Sequence, residues 1–155
     1  MFCMESAVPV FLMLFFHLLS MAVPGGGNST EDTHFVSVDV SMADTLLQPG
    51  GKGKILVSFS PVDGIHINVD PPVGVKVEKN PLISLHGDPD ITTDKETGFL
   101  STSTPVGQRF SVSRKATPGE HIVQGTIIYY FCSDTEGWCR KQSREVSFRL
   151  NIRRP

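Results

Sequence analysis

The dominant pattern along the chain is an alternation of apolar and polar residues with a period of two. "FVSVDVSM" sets Val36, Val38, Val40 and Met42 on one face and Ser37, Asp39 and Ser41 on the other. "KILVSFS" does the same with Ile55, Val57 and Phe59, and "VGVKV" with Val73, Val75 and Val77. In "GIHINVD", Ile65, Ile67 and Val69 alternate with His66 and Asn68. "QRFSVSR" turns Phe110 and Val112 inward, and "REVSFRLNI" buries Val146, Phe148, Leu150 and Ile152. Such runs place alternate side chains on opposite faces of a strand, and the 3.6-residue period of a helix is nearly absent. "GTIIYYFC" is apolar on both faces, as a central strand requires. Turn-forming segments separate the runs: "QPGGKG", "SPVDG", "DPP", "HGDPD", "TPGE" and "DTEG". Seven or more short strands, punctuated about every ten residues, predict an all-β chain folded as an immunoglobulin-like antiparallel β-sandwich.

The N-terminal end breaks this pattern. Ala7 to Ala22, "AVPVFLMLFFHLLSMA", is apolar and uncharged, and "VPGGGNSTEDT" follows it. Ser20 and Ala22 have the small-residue spacing that a signal peptidase reads, so residues 1–22 are expected to be a signal peptide. No Lys or Arg precedes the run and Glu5 does, so an uncleaved membrane anchor is the alternative. Both place the rest of the chain outside the cytosol, periplasmic or secreted. Residues 23–34 read as a flexible leader, and 35–155 as one domain. A domain of this length can bury about two thirds of its unfolded surface around a single core.

Composition excludes more than it selects. A formal net charge of −2 gives no reason to expect nucleic acid as a partner. Arg140, Lys141, Arg144, Arg149, Arg153 and Arg154 make the C-terminal end locally basic, which reads as the solvated face of a last strand. No nucleophile elbow, phosphate-binding loop or paired-carboxylate signature occurs. His34, His66, His86 and His121 are scattered, and none is near a cysteine in sequence, so no metal or other cofactor is expected. His66 reads as a surface or edge histidine. Residues 86–106 form the longest polar stretch, and loops of that length are more often functional than idle.

The remaining chemistry lies in "YYFCSDTEGWCRK", residues 129–141. Cys3 belongs to the export segment, which leaves Cys132 and Cys139 as a pair expected to oxidise outside the cytosol. Strand-like sequence flanks "SDTEGW", so a hairpin would bring the two residues face to face. Closing a loop of about eight residues stabilises by roughly 2.5 kcal/mol, an increment on which a sandwich of this size does not depend. Arg140 and Lys141 adjoin Cys139 and favour its thiolate, while Asp134 and Glu136 pull the other way. Read from the residues alone, the pair is either a structural disulfide or a working dithiol.

"GKILVSFSPVDGIHINVDPPVGVKV" and "GTIIYYFCSDTEGWC" resemble the N-terminal domain of the bacterial thiol:disulfide interchange protein DsbD, and the stand-alone relatives of that domain most of all. The resemblance runs from about Phe35 to Ile152. It implies an immunoglobulin-like sandwich in the periplasm whose cysteine pair takes electrons from a thioredoxin-like donor and passes them to other oxidoreductases. It places that pair at Cys132 and Cys139, with Cys139 as the attacking thiol. It also implies an aromatic cap over the disulfide, for which Phe99 in "KETGFLS" is the candidate, with Tyr130 and Trp138 as possible walls. The chain departs from the family in two places: six residues separate the cysteines where the family has five, and "RKQS" replaces an aromatic-proline segment. The membrane electron-conducting and terminal thioredoxin domains of DsbD do not follow. The expected partners are therefore thioredoxin-fold redox proteins or a separate membrane electron donor.

Overall fold

The computed structural model describes residues 34–78 and 82–154. The expected export segment at 1–22, Cys3 and all but the last residue of the expected leader lie outside the described residues. Eight strands follow one another: β1 (Val36–Met42), β2 (Lys52–Pro61), β3 (Ile65–Ile67), β4 (Gly74–Val77), β5 (Ile83–Asp90), β6 (Val106–Val112), β7 (Gly119–Ser133) and β8 (Trp138–Ile152). They form two antiparallel sheets. One has the order β1-β2-β6-β5; in the other, β3 and β4 pair in succession with one edge of β7 while β8 pairs with the opposite edge. The chain is an all-β, immunoglobulin-like sandwich, as its alternation predicts.

The core is the set of inward residues that alternation identified. Val36, Ile55, Val57, Phe59, Phe110 and Val112 from the first sheet meet Ile67, Val123, Ile127, Tyr129, Phe131, Phe148, Leu150 and Ile152 from the second. Phe59 and Tyr129 bridge the sheets edge to face, with ring centroids 5.2 Å apart. β7 is the central strand its sequence requires; from Val123 on its odd-numbered side is sealed, whereas its even-numbered side is closed only at Cys132. Ile128 and Tyr130 on the even-numbered side are half-buried.

Two expectations about elements need correction. "HGDPD" is not a connecting turn: His86 to Asp90 complete β5, whose register with β6 shifts between those two residues. Gly87 takes a φ of 63° there, and the amide of buried Gln108 donates to the carbonyls of His86 (3.1 Å) and Gly87 (3.3 Å), partnering groups that the bulge frees from the ladder. The hairpin loop between the cysteines is also shorter than "SDTEGW". β7 runs through Ser133 and β8 begins at Trp138, so the turn is Asp134–Gly137, with Gly137 at a φ of 69°.

Candidate functional site

β7 and β8 pair along their whole length, and this register sets Cys132 directly opposite Cys139, one rung inside the turn. The Cα atoms are 4.1 Å apart and the sulfurs are bonded. That separation belongs to the closer, non-hydrogen-bonded class of antiparallel pair, where side chains approach most nearly. The turn is held from both sides. The Gly137 amide donates to Ser133 O at 3.0 Å, and the Asp134 amide donates to Gly64 O in the β2–β3 turn at 3.1 Å.

Strand alternation decides what surrounds the disulfide. Tyr129 and Phe131 point into the core, so Cys132 points to the outer face of the sheet. Cys139 and Lys141 of β8 lie opposite Cys132 and Tyr130 and share that outer face. The ammonium of Lys141 lies 6.0 Å from the centroid of the Tyr130 ring. Trp138 and Arg140 belong to the other face. Trp138 packs on Phe35 at 5.2 Å and on Phe131 at 5.7 Å, and the Arg140 guanidinium lies 4.5 Å from the Trp138 ring. Of the residues expected to wall or charge the pair, Tyr130 and Lys141 therefore share its face. Trp138 and Arg140 face the opposite way, because neighbours in a strand alternate. Glu136 accepts a hydrogen bond from Trp138 Nε1, which turns that carboxylate towards the indole.

The two sulfurs are not equivalent. Cys139 is exposed, while Cys132 retains 6% of its accessible surface. Cys132 is covered from the β3 side, where the register sets His66 directly opposite it. His66, Cys132 and Cys139 thus form one row across three strands. His66 keeps 16% of its side-chain surface, and its Nδ1 lies 3.0 Å from Asp134 Oδ1. No aligned hydrogen bond satisfies that nitrogen, so the two groups are close neighbours without a hydrogen bond between them. Two residues along, Asn68 holds its side-chain amide 3.4 Å from Cys132 Sγ. A disulfide sulfur carries no hydrogen, so Asn68 Nδ2 is the donor; Asn68 Oδ1, 3.5 Å away, can accept only from a reduced thiol.

The long polar stretch supplies the cover. After β5, residues 92–101 double back as a small hairpin closed by Thr93 and Leu100. Leu100 is buried, and its amide donates to Ile67 O of β3 at 2.9 Å, which seats the hairpin on that strand. Asp94 Oδ1 accepts from the amides of Glu96 (2.9 Å) and Thr97 (3.0 Å), and these bonds, Thr97 first, hold its carboxyl below the ordinary value. Gly98 takes a φ of 76° at the return. Phe99 is thereby laid flat on His66, with ring centroids 3.5 Å apart and planes 14° from parallel. His66, Asn68, Asp70, Phe99 and Cys132 line a hollow of about 330 Å³ beside the buried sulfur.

His66 is thus an edge-strand histidine, on β3, but not a plain surface one: its ring is largely covered, with Phe99 stacked on it. Sequence reading missed the place of His66 and Asn68 beside Cys132, and weighed Asp134 only as a charge near the pair. The available signal was the outward pair in "IHIN"; what no sequence pattern supplies is the register that brings it beside Cys132. No group of three or more His, Cys, Asp or Glu side chains able to hold a metal ion occurs among the described residues.

Fold and site together define the class: an immunoglobulin-like β-sandwich with a cross-strand disulfide at one end of its second sheet. No protein-family model matches the chain, and no curated protein matches it. Several solved structures are similar. The GAE domain of yeast GGA1 has 13% identity and a TM-score of 0.41, covering 74% of this chain and 91% of its own. The N-terminal domain of Neisseria meningitidis DsbD, in the reduced form, has 16% identity and a TM-score of 0.34, covering 77% of this chain and 86% of its own. AggA, the major subunit of aggregative adherence fimbriae type I from Escherichia coli, has 14% identity and a TM-score of 0.34, covering 76% and 95%.

Proposed function

We propose that the domain is an exported thiol–disulfide exchange module that relays reducing equivalents between redox proteins through Cys132 and Cys139. The observation that carries this reading is the asymmetry of the pair: an exposed Cys139 on the sheet surface, bonded to a Cys132 that is covered yet bordered by polar side chains. Exchange needs one sulfur that a partner's sulfur can reach in line, and a second that resolves the mixed disulfide from within. Cys139 takes the first part and Cys132 the second. Lys141, on the same face, favours a thiolate at Cys139. The sequence resemblance to the DsbD N-terminal domain supports the same assignment, with thioredoxin-fold redox proteins or a separate membrane electron donor as partners and Phe99 as the cap. Export through residues 1–22 into the periplasm or beyond belongs to this proposal, and the N-terminal sequence of the mature protein tests it.

The second reading is a non-catalytic binding or assembly module whose disulfide braces a hairpin. The deep burial of Cys132 favours it. Against it stands the β7–β8 ladder, which pairs fifteen residues of each strand and holds the hairpin without a covalent link. Trapping separates the two. A Cys132→Ser chain expressed in its host leaves Cys139 able to attack but unable to release. Under the exchange reading, mass spectrometry recovers a thioredoxin-fold protein disulfide-bonded to Cys139. Recovery of monomer alone, with no exchange in glutathione buffers, leaves the brace.

A further inference from the structure

Cys132 poses a chemical problem. Whichever way electrons flow, its sulfur passes through a thiolate, and a covered thiolate loses solvation that an exposed one keeps. The Asn68 amide offers that sulfur one neutral donor at 3.4 Å. A proton carrier is also needed within the same enclosure. Two hollows of about 330 Å³ each flank His66, and the titratable side chains lining them besides His66 are Asp70 and Cys132 in one and Asp94 and Asp134 in the other. No Lys or Arg lines either hollow. Imidazole is the side-chain class suited to both taking and giving a proton, and His66 is the imidazole that lines both hollows.

We propose that His66 is the proton-transfer group for Cys132, held beside the Asp134 carboxylate and shielded by Phe99. This rests on the exchange reading above. In the reducing direction, the Cys139 thiolate attacks a partner disulfide and forms the mixed disulfide. Neutral His66 then takes the proton of the Cys132 thiol. The Cys132 sulfur attacks Cys139 Sγ, the new S–S bond forms, and the bond from Cys139 to the partner breaks. The partner leaves as a dithiol after protonation by solvent, having gained the two electrons that the cysteine pair loses. In the opposite direction, protonated His66 gives its proton to Cys132 as that sulfur departs. Asp134 is a positioning residue: its anion, 3.0 Å from Nδ1, stabilises the imidazolium that each transfer creates or consumes.

The test uses the full chain on a Cys3→Ser background, reduced and mixed with dithiobis(nitrobenzoate) in a stopped-flow cell. Release of the coloured thiol has two phases. The first is attack by Cys139 on the reagent, and the second is expulsion of the thiol from Cys139 by Cys132. In the parent protein, the second phase shows a pH inflection that His66→Gln removes. His66→Gln slows that phase about tenfold near pH 6.5 and converges with the parent above about pH 9.5, where the thiol ionises unaided. Asp134→Asn, at a side chain that is 61% exposed and safe for folding, moves the inflection to lower pH. A second phase with the same pH profile in all three proteins overturns the role of His66 and leaves exchange standing. Absence of the first phase in the parent protein overturns exchange itself, and the proposal with it.

Discussion

Replacing Phe99 with alanine should uncover Cys132, and the structure sets the scale. Phe99 is half-buried, and half of the value of a fully buried phenylalanine is about 1 kcal/mol. Its flat contact with the His66 ring adds about 0.5–1.5 kcal/mol beyond burial. Removing both eases local opening of the cover by about 1.5–2.5 kcal/mol, which raises the open population roughly 10- to 70-fold. The assay is alkylation of the reduced protein with iodoacetamide, read peptide by peptide by mass spectrometry. In the parent chain Cys139 labels first and Cys132 lags, since it reacts only through the open form. In Phe99→Ala the Cys139 rate is unchanged and the Cys132 rate climbs by that factor. An unchanged Cys132 rate in a variant that still melts cooperatively would show that the 92–101 hairpin does not gate the buried sulfur.

Further outcomes follow from the same geometry. Cys132→Ser combined with Cys139→Ser removes closure of a loop of about eight residues, so stability falls by about 2.5 kcal/mol and the melting midpoint by about 10 °C; a calorimetric shift under about 2 °C contradicts the loop estimate. Gly125→Ala on β7 sets a Cβ 2.7 Å from the Lys76 carbonyl oxygen of β4. That clash pushes β4 off the sheet at about 1–3 kcal/mol, read as a lower urea midpoint, and an unchanged midpoint refutes the close approach. The Lys54 hydrogen bond to Asp90 (2.9 Å) holds that carboxyl below 3.8. A carboxyl depressed in the folded state contributes stability that is complete above its unfolded value and is lost as pH falls through the folded one. Lys54→Met should therefore flatten the urea midpoint's dependence on pH below 3.8 and leave its shape at neutral pH alone; an unaltered acid limb refutes the linkage.

The fold was legible because one face of nearly every strand is buried and alternation records that burial directly. Val146, Phe148, Leu150 and Ile152 are inward in β8, as their spacing requires. "HGDPD" was misleading because Gly and Pro signal a turn locally, whereas the bulge in β5 is supported from β6 by the Gln108 side chain. The cysteine pair was legible because its register is set by a local hairpin. The rest of the site was not, because 64 positions separate Asn68 from Cys132 and only the β3–β7 ladder brings them together. Adjacency in sequence was a poor guide for Arg140 and Trp138, which alternate to the face away from the sulfurs.

β8 has one further property. β7 covers one side of it, and on the other side the bridge from Leu47 to Ile152 is its single backbone pairing among the described residues. A strand of fifteen residues whose second flank is largely unpaired among the described residues is a template for other chains. Arg140, Lys141, Arg144, Glu145 and Arg149 are spread along it. A second ladder laid against that flank would set its charges beside these and strip them of water. The basic run that reads as ordinary surface thus sets an electrostatic cost against a further strand pairing along this edge.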